Sequence, residues 1–343
     1  MKRSSPPFLQ SPAFRKLLVL VLVAAVLVVS IPVLLMGVSQ KPNPAPPIPS
    51  STSIANTTIT TTTRNSSSPP LKDRFGITEL YPTAAGGMEW FSSWDNGDAR
   101  TIGNAIDPDD NWFDTDYGDG TYAIDGKGTL TASGDTVRLY VHDPANEREW
   151  SENLEITLYV KRIGETQIVD YSGLQVFART NHGTNADENV NLCDDRGYGG
   201  LMNIDGEWAF EKETVHHLDN GYVDVATQRP SGDLPKDTWI GFKYVLRNMD
   251  DNTKVKLELY RDTTGGINGG NWQKVTEFVD DGKNFGVGNE PCKSFVNPAL
   301  QLIHSFVNAS SETGKPMLSV YVRHEFGTMA YSNFTIREIS PLS

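Results

Sequence analysis

The densest concentration of chemically capable side chains runs from Arg179 to Tyr222. It opens with Arg179-Thr180-Asn181-His182 and continues through Cys193-Asp194-Asp195-Arg196. Glu207-Trp208-Ala209-Phe210-Glu211-Lys212-Glu213 follows, then His216-His217 and Tyr222. Arginine, histidine and tyrosine together suit β-elimination from a uronic acid. The arginine neutralises the sugar carboxylate, a histidine removes the acidified C5 proton, and a tyrosine returns a proton to the leaving oxygen. On this reading Arg179 is the neutraliser, His182 or His216 the base, and Tyr222 or Tyr260 the acid. A polar loop carrying a few exposed histidines is the simpler alternative.

Strand parity supplies further candidates, because alternate residues of a strand share a face. Over 173–180, Gln175, Phe177 and Arg179 are expected opposite Leu174, Val176 and Ala178. Lys243 and Arg247 share one face of 239–248. Lys256, Glu258 and Tyr260 share one face of 254–262, and Tyr321, Arg323 and Glu325 one face of 318–326. Lys243, Glu258, Tyr321 and Arg323 are thus candidate substrate-binding residues of a sugar groove. An ordinary solvated outer sheet would carry the same pattern. Glu207, Glu211 and Glu213 also share a face. Paired carboxylates hydrolyse glycosides, whereas a charged edge strand needs no ligand.

The run from Asp107 to Gly120 is acid-rich, and Ca²⁺ prefers such oxygen clusters. Asp114, Asp116 and Asp119 are the candidate metal ligands, with a structural Ca²⁺ as the implied cofactor. The spacing departs from a helix–loop–helix calcium loop: Asp119 stands where glycine belongs, and Asp125 where a bidentate glutamate would. A solvated turn is the alternative. Trp90, Trp94, Trp112, Trp208 and Trp272 are stacking surfaces if exposed and core aromatics otherwise. There is no phosphate-binding glycine loop, no zinc spacing and no serine elbow.

The elements that must position these residues read as short strands. Leu154–Lys161, Lys254–Arg261 and Leu318–Arg323 alternate apolar with polar residues, the signature of half-buried strands. Further strands are expected at Gly128–Ala132, Thr136–Val141, Gly173–Thr180, Gly199–Ile204, Glu207–Lys212, Trp239–Asn248, Trp272–Val279, Leu300–Asn308 and Met329–Glu338. Asp125-Gly126, Ser133-Gly134, Asp205-Gly206, Gly265-Gly266 and Asp281-Gly282 are turn signals. With no helical period beyond residue 38, the expectation is an all-β, antiparallel jelly-roll sandwich.

This long antiparallel domain, closing with Leu318–Glu325 and Met329–Glu338, resembles the concanavalin A-like jelly rolls over about Met88 to Ile339. Legume lectins, laminin G-like modules, many glycoside hydrolases and several polysaccharide lyases share that fold. The resemblance implies a carbohydrate partner but not an activity. Gln301-Leu302-Ile303-His304 is similar to the Gln-Ile-His signature of the alginate lyases. Its glutamine and histidine are three apart, however, and so face opposite ways in a regular strand. The Glu-x-Asp-x-x-Glu strand of the laminarinase type is absent.

Residues Leu17–Val38 are uninterruptedly uncharged and about long enough to cross a bilayer. Lys2, Arg3, Arg15 and Lys16 precede them, which places the N-terminus in the cytoplasm and the rest outside. A cleaved signal peptide is the competing reading, but its apolar core would be shorter and end in a small-residue site. Residues 39–70 are rich in Pro, Ser and Thr and read as a stalk. Within the first 70 residues there are six basic side chains and no acid, which leaves 24 basic against 43 acidic groups beyond, a balance of −19. That surface repels nucleic acid. Cys193 and Cys292 would form one disulfide in such a compartment, with two free thiols as the alternative. Glycosylation sequons stand at Asn56, Asn65, Asn308 and Asn333. The expectation is a membrane-anchored, glycan-interacting jelly roll, a polysaccharide lyase in the first reading. A lectin or adhesion module, or a structural surface component, is the alternative.

Overall fold

The computed structural model of the chain describes residues 70–184, 196–213, 222–230, 232–285 and 319–340. The apolar run, the stalk, His216, both cysteines, the expected strand Leu300–Asn308 and the sequons at Asn56, Asn65 and Asn308 lie outside them. Among the described residues no helix is long and apolar enough to cross a membrane.

Fifteen strands are described. The first five are short: β1 (Glu89–Phe91), β2 (Arg100–Ile102), β3 (Ile106–Asp107), β4 (Asp110–Asp114) and β5 (Thr121–Ile124). Longer ones follow: β6 (Leu130–Val141), β7 (Leu154–Glu165), β8 (Gly173–Thr180), β9 (Gly197–Asn203) and β10 (Trp208–Glu213). The chain closes with β11 (Tyr222–Gln228), β12 (Trp239–Met249), β13 (Lys254–Asp262), β14 (Gln273–Asp280) and β15 (Ser319–Glu338). Every strand pairing is antiparallel, in the order β11-β10-β9-β8-β15-β7-β12-β13-β14.

β15 makes this path into a sandwich. Its first half lies between β6 and β8, and its second half pairs with β7 and β1. Two register shifts, at Thr328/Met329 and Ser332/Thr335, bend it between the layers. Phe326 and Asn333 take φ of 51° and 49° there. The two closing strands expected from the sequence are therefore one strand, and the Asn333 sequon sits at its second bulge. Ser133-Gly134 is likewise no turn, since β6 runs straight through it. A Cβ on Gly134 would stand 3.0 Å from the Gly120 backbone, so the glycine serves a close approach.

The layers meet through alternating apolar faces. Trp208 of β10 stacks on Phe242 of β12 at 5.4 Å, and Phe210 meets Tyr244 at 6.1 Å. A Cβ on Gly200 of β9 would come within 2.9 Å of Leu259 on β13. Replacing Gly200 with Ala is expected to overpack this seam and lower stability by about 1–3 kcal/mol, read by denaturant unfolding. An unchanged midpoint would contradict so close a packing.

His324 of β15 is buried, with Nδ1 2.6 Å from the Tyr331 hydroxyl. Burial, helped by the charge of Arg138, pushes its pKa down to about 4 from 6.5. The unfolded chain thus binds a proton that the native state refuses. Stability is full above pH 6.5 and falls as the pH drops toward 4, by about 3 kcal/mol for this group. His324→Gln is expected to flatten that slope between pH 7 and 4.5 in denaturant titrations. A variant with the wild-type slope would contradict a neutral buried histidine.

Candidate functional site

The outer face of the β8–β15 layer carries a groove of about 820 Å³. Register explains its contents. Arg323 of β15 lies opposite Gln175 of β8 and Arg138 of β6, and Gln175 lies opposite Leu201 of β9. Glu211 of β10 lies opposite Asp224 of β11. Glu325 and Asn203 extend this set, while Tyr117 and Tyr171 project from loops at its margins. Tyr171 is 50% exposed, an aromatic face open to a ligand.

The floor is wired by charge. The Arg323 Nε donates to Gln175 Oε1, and its Nη2 lies 3.2 Å from Glu211 Oε1. Arg138 Nη2 meets Glu325 Oε1 at 2.7 Å. Because a guanidinium only donates, the first bond orients the Gln175 amide with its NH₂ group turned away from Arg323. That NH₂ has no partner, nor has Arg138 Nε or the Asn203 Oδ1. These side chains are only 2%, 8% and 5% exposed, respectively. Two donors and one acceptor are thus left unmatched on buried side chains lining one groove, a pattern that calls for water or a polar ligand.

The sequence candidates divide among three places. Arg323 lines the groove. Tyr321 and His182 lie beside it in a buried aromatic cluster with Tyr140 and Phe177, where Tyr140 Oη is 2.8 Å from His182 Nδ1 and Tyr117 packs against His182 at 5.1 Å. Arg179 goes elsewhere. Between Phe177 and Thr180, β8 carries one residue more than β15 does opposite, and Arg179 adopts φ 52°. This bulge reverses the expected parity. The guanidinium lies near the core tyrosines Tyr198 and Tyr244, donates to the Glu152 carbonyl, and is pushed by burial down to about 10. Arg179 and His182, the described one of the two expected bases, therefore point to opposite faces of the sheet. Tyr222 begins β11.

Lys243, Glu258 and Tyr260 belong to the other layer. The expected open face of β12 and β13 is instead covered in part by residues 71–83. Lys243 is buried, its Nζ 2.7 Å from Glu155 Oε1 and 2.6 Å from Thr157 Oγ1, with the Trp272 ring 4.7 Å away. Arg337 Nη2 reaches Glu155 Oε2 at 3.0 Å, and the backbone N–H groups of Leu80 and Tyr81 donate to the same carboxylate. Burial pulls Lys243 below its ordinary range. It works against ionised Glu155 too, but Lys243 and Arg337 overcome it and hold that carboxyl low. Glu258 collects Lys274 at 2.6 Å, the Tyr81 hydroxyl at 3.1 Å and the Tyr260 hydroxyl at 3.2 Å. Burial, then the Glu258 charge, raise the Tyr260 hydroxyl above its usual pKa. This is a structural network rather than a sugar surface.

The acidic run folds into turns instead of a calcium loop. Asp107 takes Arg100 through two bonds of 2.9 and 2.6 Å. Asp114 accepts the Asp116 N–H at 2.8 Å and meets His142 Nε2 at 3.2 Å; burial opposes ionisation there, but those partners hold its pKa low. Asp119 accepts the Thr136 N–H at 2.6 Å. Among the described residues no three acidic, histidine or cysteine side chains gather to hold a metal. Asp114 and Asp119 thus serve local geometry, while Asp116 contributes its backbone N–H to Asp114.

Sequence reasoning missed Arg138, Asn203, Asp224, Tyr117 and Tyr171. Parity over Thr136–Val141 would have found Arg138, which alternates with Val137 and Leu139. Asp224 required recognising β11, whose Tyr222-Val223-Asp224-Val225 alternation is short. Glu211, considered on an edge strand, is interior because β11 pairs outside β10.

No known family profile matches the sequence, and no curated protein does. Among solved structures, the exoplasmic domain of VIP36, in a form bound to Ca²⁺ and Man3GlcNAc, aligns at 8% identity with a TM-score of 0.40, covering 74% of this chain and 92% of its own. Winged bean acidic lectin, complexed with methyl-α-D-galactose, aligns at 7% identity and TM-score 0.36, over 70% and 98%. An endo-1,3-β-glucanase from Streptomyces sioyaensis aligns at 9% identity and TM-score 0.38, over 77% and 100%. TM-scores of 0.40 or less carry neither residues nor an activity across.

Proposed function

We propose that the groove over β8 and β15 binds a carbohydrate and that the protein is a glycan-binding module. One observation carries this reading. Gln175 Nε2, Arg138 Nε and Asn203 Oδ1 lack partners on buried side chains that line a single groove margined by tyrosines. A sugar supplies the missing chemistry, because each hydroxyl both donates and accepts while the ring's C–H face stacks on an aromatic side chain. Binding rather than β-elimination is favoured, since Arg179 and His182 do not share a face. The run Leu17–Val38 supports display of this module outside a membrane on the 39–70 stalk.

Calorimetric titration of the full chain, in uncharged detergent, with neutral, amino and uronate oligosaccharides tests the reading. At least one class is expected to bind, and Tyr171→Ala should weaken it about fivefold, roughly 1 kcal/mol. Stability should move by less than about 0.5 kcal/mol, because Tyr171 is half exposed. Absence of binding by every class, or indifference to Tyr171→Ala, would overturn the assignment.

A further inference from the structure

The charges of the groove select among glycans. Its two arginines are already committed: Arg138 to Glu325 at 2.7 Å, and Arg323 to Glu211 at 3.2 Å. Glu207 is engaged from outside by Arg229 at 2.7 Å. Asp170 and Asp224 have neither an ion pair nor a hydrogen bond among the described residues, and both line the groove. Among the described lining residues, five carboxylates therefore face two guanidiniums, a balance of −3. A uronate would enter a field of its own sign, with no free cation among the described lining residues to receive it.

We propose that the groove takes a glycan bearing protonated amino groups, with Asp224 and Asp170 receiving the ammonium groups. This deepens the carbohydrate reading and rests on it. The acidic residues are not alone in pointing to a ligand. Gln175, nine-tenths buried, holds unmatched amide donors in the same groove, and ring hydroxyls of an amino sugar would accept from them while the ammonium donates to Asp224. Asp224 is exposed, so a ligand ammonium can reach it, and the Glu207 charge adds to the repulsion its carboxylate feels. A ligand cation beside it would relieve that repulsion.

The test is calorimetry on the full chain at pH 6, with a β-1,4-linked glucosamine tetramer, its N-acetylated counterpart and an oligoalginate of similar length. The amino tetramer is expected to bind about tenfold tighter than the acetylated one, with the oligoalginate weakest. Asp224→Asn should cut amino-tetramer affinity about tenfold and weaken the acetylated tetramer by clearly less. Asp98→Asn, remote and exposed, controls for general attraction of a cation to an acidic protein and should change neither. Equal affinity for the two tetramers, preference for the uronate, or equal losses in both variants would overturn the charge selection while leaving a glycan groove standing. No binding of any oligosaccharide would overturn both.

Discussion

Replacing Glu155 with Gln is expected to lower the unfolding free energy by about 3–5 kcal/mol, the scale for removing one partner of a buried ion pair. Glu155 is fully buried and balances two buried cations, Lys243 and Arg337, while accepting two backbone N–H groups from residues 80 and 81. Glutamine keeps the shape but loses the charge, and its NH₂ group would confront donors. The loss should include detachment of the covering segment, because the Leu80 and Tyr81 anchors go with the carboxylate. Denaturant unfolding reads the effect, and a loss below about 1 kcal/mol would contradict it. Adding Lys243→Met should restore part of the stability, since the uncompensated lysine disappears with it.

Arg323→Ala is expected to weaken oligosaccharide binding at least about 30-fold, or roughly 2 kcal/mol. The guanidinium holds Gln175 and Glu211 in one geometry, so its removal leaves a buried carboxylate without its cation and frees the glutamine to rotate. Arg323→Lys keeps the charge but not the fork, and should fall between wild type and Ala. Affinity unchanged in Arg323→Ala, with the fold retained, would remove the groove floor from any binding role.

Much of this architecture is legible in the sequence because period two is a local property. The faces of β13 and the first half of β15, down to Arg323 and Glu325 opposite Val320 and Val322, follow from alternation alone. What escaped is what alternation does not encode. A single inserted residue at Arg179 turned a candidate groove arginine inward, and only the register against β15 reveals it. Lys243 and Glu258 alternate like solvent-facing residues, but a segment at least 160 positions earlier covers much of their face. The acids from Asp107 to Asp119 have composition suited to calcium, yet Asp107, Asp114 and Asp119 found nearer partners in Arg100, His142 and backbone N–H groups. The groove draws on six strands and three loops, so its membership is a long-range property that no local motif announces.

Hydrogen exchange of the full chain, with and without a saturating oligosaccharide that binds, tests the glycan groove most directly. Slowed exchange is expected in Gly173–Thr180, Gly197–Asn203 and the first half of Ser319–Glu338, with Trp239–Met249 and Lys254–Asp262 unchanged. Protection confined to the Lys243–Glu258 layer, or none anywhere at saturation, would contradict it.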